Sequence, residues 1–122
     1  MIELPQNQRS LAYGLSVLVG RTLSSVEFVQ DYLQLRFDGP YLTAYTLPTI
    51  TAGPVKLNWA QPGYRDGLCT QIGHQITQAG IEGEDLLISF DNDAVVGISF
   101  REDDYQGPEA LEFVSDDGKW VA

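Results

Sequence analysis

Apolar positions recur along the chain with two periods, one helical and one of two residues, and the periods appear in the same order twice. Leu11, Leu15, Leu18 and Val19 fall at helical spacing, with Asn7 or Ser10 available as an N-cap and Gly20 placed to end the helix in the left-handed conformation. A shorter version follows later, with Leu68 and Ile72 on one face, Asp66 as cap and Gly73 as stop. After each helix comes a β-like segment that skips a beat, between Leu23 and Val26 and again between Ile76 and Ala79. A β-bulge or a helix-to-strand bend explains such a break. Leu33, Leu35 and Phe37 then alternate with Tyr32, Gln34 and Arg36, and Leu86, Ile88 and Phe90 alternate with Asp85, Leu87 and Ser89. One face of each strand is therefore buried and the other wet. Turns at Asp38-Gly39-Pro40 and Asp91-Asn92-Asp93 lead into strands over residues 41–47 and 94–100. A Gly-Pro pair, Gly53-Pro54 or Gly107-Pro108, opens a fourth strand, and Asp116-Asp117-Gly118 makes a last hairpin into residues 119–122.

The two series are one pattern repeated. A shift of 53 places lays residues 14–20 on 67–73, Leu23 on Ile76, Val26 on Ala79 and Phe28 on Ile81. Leu33, Leu35, Phe37 and Asp38 then meet Leu86, Ile88, Phe90 and Asp91, and after one inserted residue 53–59 meet 107–113. Glycine, proline and apolar positions are retained while charged ones drift, as when backbone and core are kept and surfaces diverge. A three- or four-stranded half with one apolar face cannot cover it alone. The expected fold is a single α+β domain over residues 1–122, mostly antiparallel β, with an internal duplication of 14–59 and 67–113. The two helix-plus-meander halves would pack about a pseudo-twofold axis as a barrel or sandwich, with the helices over its open ends. Leu15, Leu18, Val26, Phe28, Leu33, Leu35, Phe37, Leu68, Ile72, Ile81, Leu86, Ile88, Phe90, Ile98 and Phe100 form the expected core.

Composition narrows the class. The 122 residues, 43% hydrophobic and 20% charged, suffice for one domain without disulfide staples. The single cysteine, Cys69, excludes an internal disulfide framework or a multi-cysteine metal site. No apolar run reaches membrane-spanning length, and residues 1–7 lack the basic start of a secretory leader, so a cytoplasmic address is expected. Charge adds more. Residues 1–61 hold four acidic and four basic side chains, so the whole net charge of −10 belongs to residues 62–122. No basic footprint exists for nucleic acid or an anionic membrane surface, whereas a basic protein partner would be steered to the acidic half.

The candidate chemistry is sparse. Cys69 and His74 are a nominal nucleophile and base, but they lie five apart across a helix end with no third orienting group, so no catalytic residue is assigned. Asp91-Asn92-Asp93 starts like a calcium loop but lacks the later glycine and the distant glutamate, and reads as a turn. No metal ligand set and no cofactor motif is present. Glu102, Asp103 and Asp104, on an extended segment with Tyr105 and Glu109 beyond, form the candidate docking surface for a basic partner. Residues 48–64 form a long connector in which Trp59, aligned with Phe113, is expected to anchor the core or its edge. Tyr41, Tyr45, Trp59 and Tyr105 are the candidates for lining a pocket between the halves.

Asp104-Tyr105-Gln106-Gly107-Pro108-Glu109-Ala110, followed by Phe113, Trp120 and Val121, resembles the C-terminal signature of small uncharacterised bacterial proteins. Some of these are similar to the immunity or accessory proteins of toxin systems. The resemblance implies a small β-rich domain with no known catalytic residues. Two functions are compatible with the chain. One is a non-enzymatic interaction module that uses the acidic second half against a partner protein. The other is a small-molecule binder or enzyme with a pocket between the repeats. Unpaired edge strands lead to the further expectation of a homodimer.

Overall fold

The computed structural model describes residues 4–122; residues 1–3, part of the segment read as lacking a leader, lie outside the described residues. The chain is α+β, and its described residues form ten antiparallel strands in two five-stranded sheets and two short α-helices. Helix α1 spans Gln6–Leu15 and continues as a 3₁₀ turn over Ser16–Leu18. Strands β1 (Ser25–Phe28), β2 (Leu33–Arg36) and β3 (Tyr41–Ala44) form a meander, followed by the hairpin of β4 (Thr49–Ala52) and β5 (Val55–Leu57). Helix α2 (Tyr64–Cys69) precedes a second meander, β6 (Ile76–Glu82), β7 (Asp85–Phe90) and β8 (Val95–Ser99). A 3₁₀ turn at Glu102–Asp104 leads to the last hairpin, β9 (Leu111–Ser115) and β10 (Gly118–Val121).

The hairpins change sheets. One sheet runs β1-β2-β3-β9-β10 and the other β5-β4-β8-β7-β6, so each takes a meander from one half of the chain and a hairpin from the other. Registers correspond at an offset of 53: Ser25 pairs with Arg36 as Gln78 with Ser89, and Phe28 with Leu33 as Ile81 with Leu86. Hydrogen bonds around the Thr22–Gln75 bridge are reciprocal. The amides of Gly20 and Gly73 donate to the carbonyls of Ile76 and Leu23, both at 2.8 Å, while those of Ile76 and Leu23 donate to Arg21 and His74 at 2.8 and 3.2 Å. The second skipped beat falls at an irregularity of the β6–β7 pairing. The register shifts between Ile76 and Gln78, where Thr77 Oγ1 donates to the Ser89 carbonyl, and Ser24 Oγ donates likewise to Arg36.

Both sheets and both helices supply one continuous core. Helix α1 packs on β6, β9 and β10, and α2 on β1 and β4, so each helix touches both sheets. Ten of the expected core residues are fully buried, and Val26, Ile81 and Phe100 are half-buried against them. Phe28 and Ile72 are exposed instead. Phe28 ends β1 at the rim, where the Arg65 guanidinium covers its ring at 5.5 Å. Ile72 is displaced because the helix tightens after Cys69: the amides of Gln71 and Ile72 bond three residues back. With three residues per turn, positions i and i+3 eclipse, so Gln71 rather than Ile72 follows Leu68 into the interior. The same tightening buries Leu18 beneath Leu15 and leaves Val19 exposed.

Three further expectations change. Helix α1 has its N-cap at Pro5, two residues before Asn7 and five before Ser10, without a side-chain cap, and α2 has its N-cap at Gly63, with Asp66 inside its first turn. The connector at 48–64 contains the β4–β5 hairpin rather than a long loop, because Thr49, Ile50 and Thr51 alternate about the buried Ile50. The two Gly-Pro pairs are not equivalent in place: Gly53 and Pro54 turn β4 into β5, whereas Gly107 and Pro108 lie in the loop before β9. Trp59 accordingly anchors nothing; it is 64% exposed, while Phe113 is fully buried.

Candidate functional site

Two clefts lie on either side of the loop that enters β9, and Gln106 lines both. The first, about 490 Å³, is lined by Asp31 of the β1–β2 turn, Tyr45 after β3, Gly107, Pro108 and Glu109 of the loop, and Glu112 of β9. Its frame is the β3–β9 pairing, extended where the amides of Tyr45 and Thr46 both donate to the Ala110 carbonyl at 2.8 and 2.9 Å. In β9, Leu111 and Phe113 point inward, so the alternation turns Glu112 outward between them, toward the cleft. Tyr32 meets Tyr45 with ring centroids 6.1 Å apart and planes tilted by 60°. Burial, then the carboxylates of Glu112 and Glu109, raise the Tyr45 hydroxyl above its ordinary value, with Lys119 opposing. Lys119 is itself held by Glu112 at 3.5 Å. This first cleft is a negatively charged recess with an aromatic wall, suited to an organic cation.

The second cleft, about 450 Å³, draws Thr46, Lys56, Asn58 and Trp59 from the first half and Asp85, Ser99, Arg101 and Asp104 from the second. Arg101 grips both carboxylate oxygens of Asp85, at 2.8 and 3.2 Å, and that contact foremost holds its guanidinium above the usual range. Ser99 Oγ donates to Asp104 Oδ2 at 2.6 Å. These contacts tie the 3₁₀ turn Glu102–Asp104 back to the sheet, so the three acids sit on a helical turn rather than the extended segment expected.

The expected site residues are thereby divided. Glu109 and Tyr45 line the first cleft; Asp104 and Trp59 line the second. Glu102 and Asp103 are exposed on the turn above, and Tyr105 is half-buried, its hydroxyl raised by burial. Tyr41 stands on the outer face of its sheet with the Arg36 guanidinium 5.2 Å from its ring centroid. Cys69 is exposed. His74 Nδ1 lies 2.7 Å from Asp91 Oδ1, while Asp91 Oδ2 accepts from the Gln75 amide. The imidazole is thus engaged in a structural clasp. Asn92 closes the neighbouring turn by accepting from the Ala94 amide. Among the described residues, no three His, Cys, Asp or Glu side chains converge to hold a metal ion. No described helix is long and apolar enough to cross a membrane.

Sequence reasoning passed over Asp31, Tyr32 and Glu112. They are remote along the chain, and only the exchange of the β9–β10 hairpin into the first sheet brings Glu112 near Tyr45. Outward alternation at Glu112 was the one available signal. Comparison with family models, curated proteins and solved structures finds no match to the chain.

Proposed function

We propose that the chain is a non-enzymatic interaction module that receives a basic segment of a partner protein in the cleft beside Tyr45. The observation that carries this reading is the placement of Asp31, Glu109 and Glu112 around that tyrosine, with Lys119 already held by Glu112. A lysine or arginine side chain entering there would meet three carboxylates offset by the single ammonium of Lys119, and the ring of Tyr45, a contact that contributes about 0.5–2 kcal/mol from the ring alone. The net charge of −10 would steer such a partner inward from a distance. Immunity-type neutralisation of a basic toxin domain is the form of this reading that the 104–110 string supports. A reducing, cytoplasmic setting suits the single free cysteine.

The test uses a fluorescent peptide of interspersed lysine, arginine and glycine, titrated against wild type and the Glu109→Gln, Glu112→Gln double variant. The double variant should retain its melting temperature, bind about tenfold or more weakly (~1.4 kcal/mol) and lose much of its salt dependence. Equal binding by the two proteins would refute the reading.

The frame for this cleft is, in the same proposal, a duplicated unit whose two copies exchange their hairpins about an axis near the Thr22–Gln75 bridge. Matched registers and reciprocal hydrogen bonds support it. The equivalent positions then run from 14 and 67 through the meanders, with β4–β5 matching β9–β10 in place of the Gly-Pro alignment.

A further inference from the structure

The second cleft carries a separate set of unspent hydrogen-bonding groups around an exposed indole. Trp59 is 64% exposed although it adjoins a recess of about 450 Å³, within the range of small-ligand sites. Among the described residues the Lys56 ammonium and the Gln106 side-chain amide make no hydrogen bond or ion pair, and Asn58 spends only its side-chain oxygen, on the Ala60 amide. At the inner end, Thr46 is 5% exposed and its hydroxyl has no partner. Buried hydroxyls are normally satisfied, so this one is unusual. The lining charges cancel, Lys56 and Arg101 against Asp85 and Asp104, and Arg101 and Asp85 are already spent on each other.

We infer that this cleft binds a neutral, hydroxyl-rich small molecule, a mono- or disaccharide, with its ring laid on Trp59 and its hydroxyls shared among Lys56, Asn58, Gln106 and Asp104. Donors and acceptors of both kinds are present, which matches hydroxyl groups, since each both gives and takes a hydrogen bond. A nucleotide or other polyanion would meet the carboxylates of Asp85 and Asp104 and the field of the acidic half. The flat apolar face of a sugar ring suits an amphipathic indole whose other edge stays wet. This site is distinct from the cleft beside Tyr45 and does not depend on it.

The experiment follows the Trp59 indole N–H resonance, assigned by its loss in Trp59→Ala, during titration with glucose, galactose, mannose, N-acetylglucosamine, maltose and lactose in turn. At least one should shift it saturably at millimolar concentration, and Lys56→Met should weaken that titration by about tenfold or more. Thr46→Val, which replaces the orphan hydroxyl with a methyl, should keep or raise the melting temperature, showing that the fold does not need it. Lys56 is exposed on β5, so that variant is expected to keep the wild-type melting temperature. No saturable shift with any of the six sugars would overturn the inference. So would a shift unchanged in Lys56→Met, or saturation by inorganic phosphate in place of the sugars.

Discussion

Gly14 lies in α1 and Gly67 in α2, and at each a neighbouring side chain occupies the space next to where a methyl would go. A Cβ on Gly14 would lie 2.8 Å from Cε2 of Trp120, whose ring stacks on Phe113 at 5.7 Å and whose Nε1 donates to Ser10. At Gly67 the nearest atom is Ile50 Cγ2, at 3.3 Å. Alanine gains about 1 kcal/mol of helix propensity at either site, but at Gly14 the clash with an anchored ring outweighs it. Gly14→Ala should therefore lose about 1–2 kcal/mol in urea denaturation, while Gly67→Ala should change little. Tyr64 offers a polar counterpart. Its hydroxyl donates to the Pro48 carbonyl at 2.6 Å, and burial raises it far above the ordinary tyrosine value. Tyr64→Phe should cost about 1–3 kcal/mol by leaving that carbonyl unpaired. The raised value means the tyrosine's contribution is complete below pH 10.0 and disappears only as alkali forces ionisation in the fold. At this scale the sequence misleads wherever geometry departs from the ideal period. Val19 and Ile72 have helical spacing, but the turn tightens before it reaches them.

Between elements, the His74–Asp91 clasp joins the end of the α2 segment to the turn after β7, and it is sensitive to acid. The His74 hydrogen bond first, and then the Gln75 amide, hold the Asp91 carboxyl below its ordinary value of 3.8. A carboxyl lowered in this way stabilises the fold above its unfolded value and loses that contribution as pH falls through the lower folded value. In thermal melts, wild type should exceed Asp91→Asn at about pH 5, and the gap should close on acidification below about pH 4. A gap that persists undiminished in stronger acid would contradict the assignment. The meanders were legible in the sequence because Leu33, Leu35 and Phe37 alternate without interruption, as do Leu86, Ile88 and Phe90. The β4–β5 hairpin was not, because its two strands are four and three residues long and the proline between them reads as loop. Short strands with exposed ends carry little periodic signal. The shared Gly-Pro pair then laid the β4–β5 turn on the loop that precedes β9.

For the whole molecule, exchanged hairpins mean that neither half of the chain holds a complete sheet. β3 depends on β9, and β8 on β4. Cleavage in the exposed segment 58–63 should leave the fold intact, whereas the separated fragments should lose their β signal in circular dichroism and recover it on mixing. A fragment that folds as a monomer by itself would count against the dependence. The same exchange explains why the clefts were only partly legible. The charge imbalance marked the second half, but Asp31 and Tyr45 come from the first, and no local pattern joins residues that meet only through a non-sequential strand pairing. The docking claim is tested most directly by mapping amide shifts while the lysine- and arginine-containing peptide is titrated. The expected result is a saturable, salt-sensitive set of shifts centred on Asp31, Tyr45, Glu109 and Glu112. Shifts scattered over the acidic surface, or gathered away from Tyr45, would contradict it.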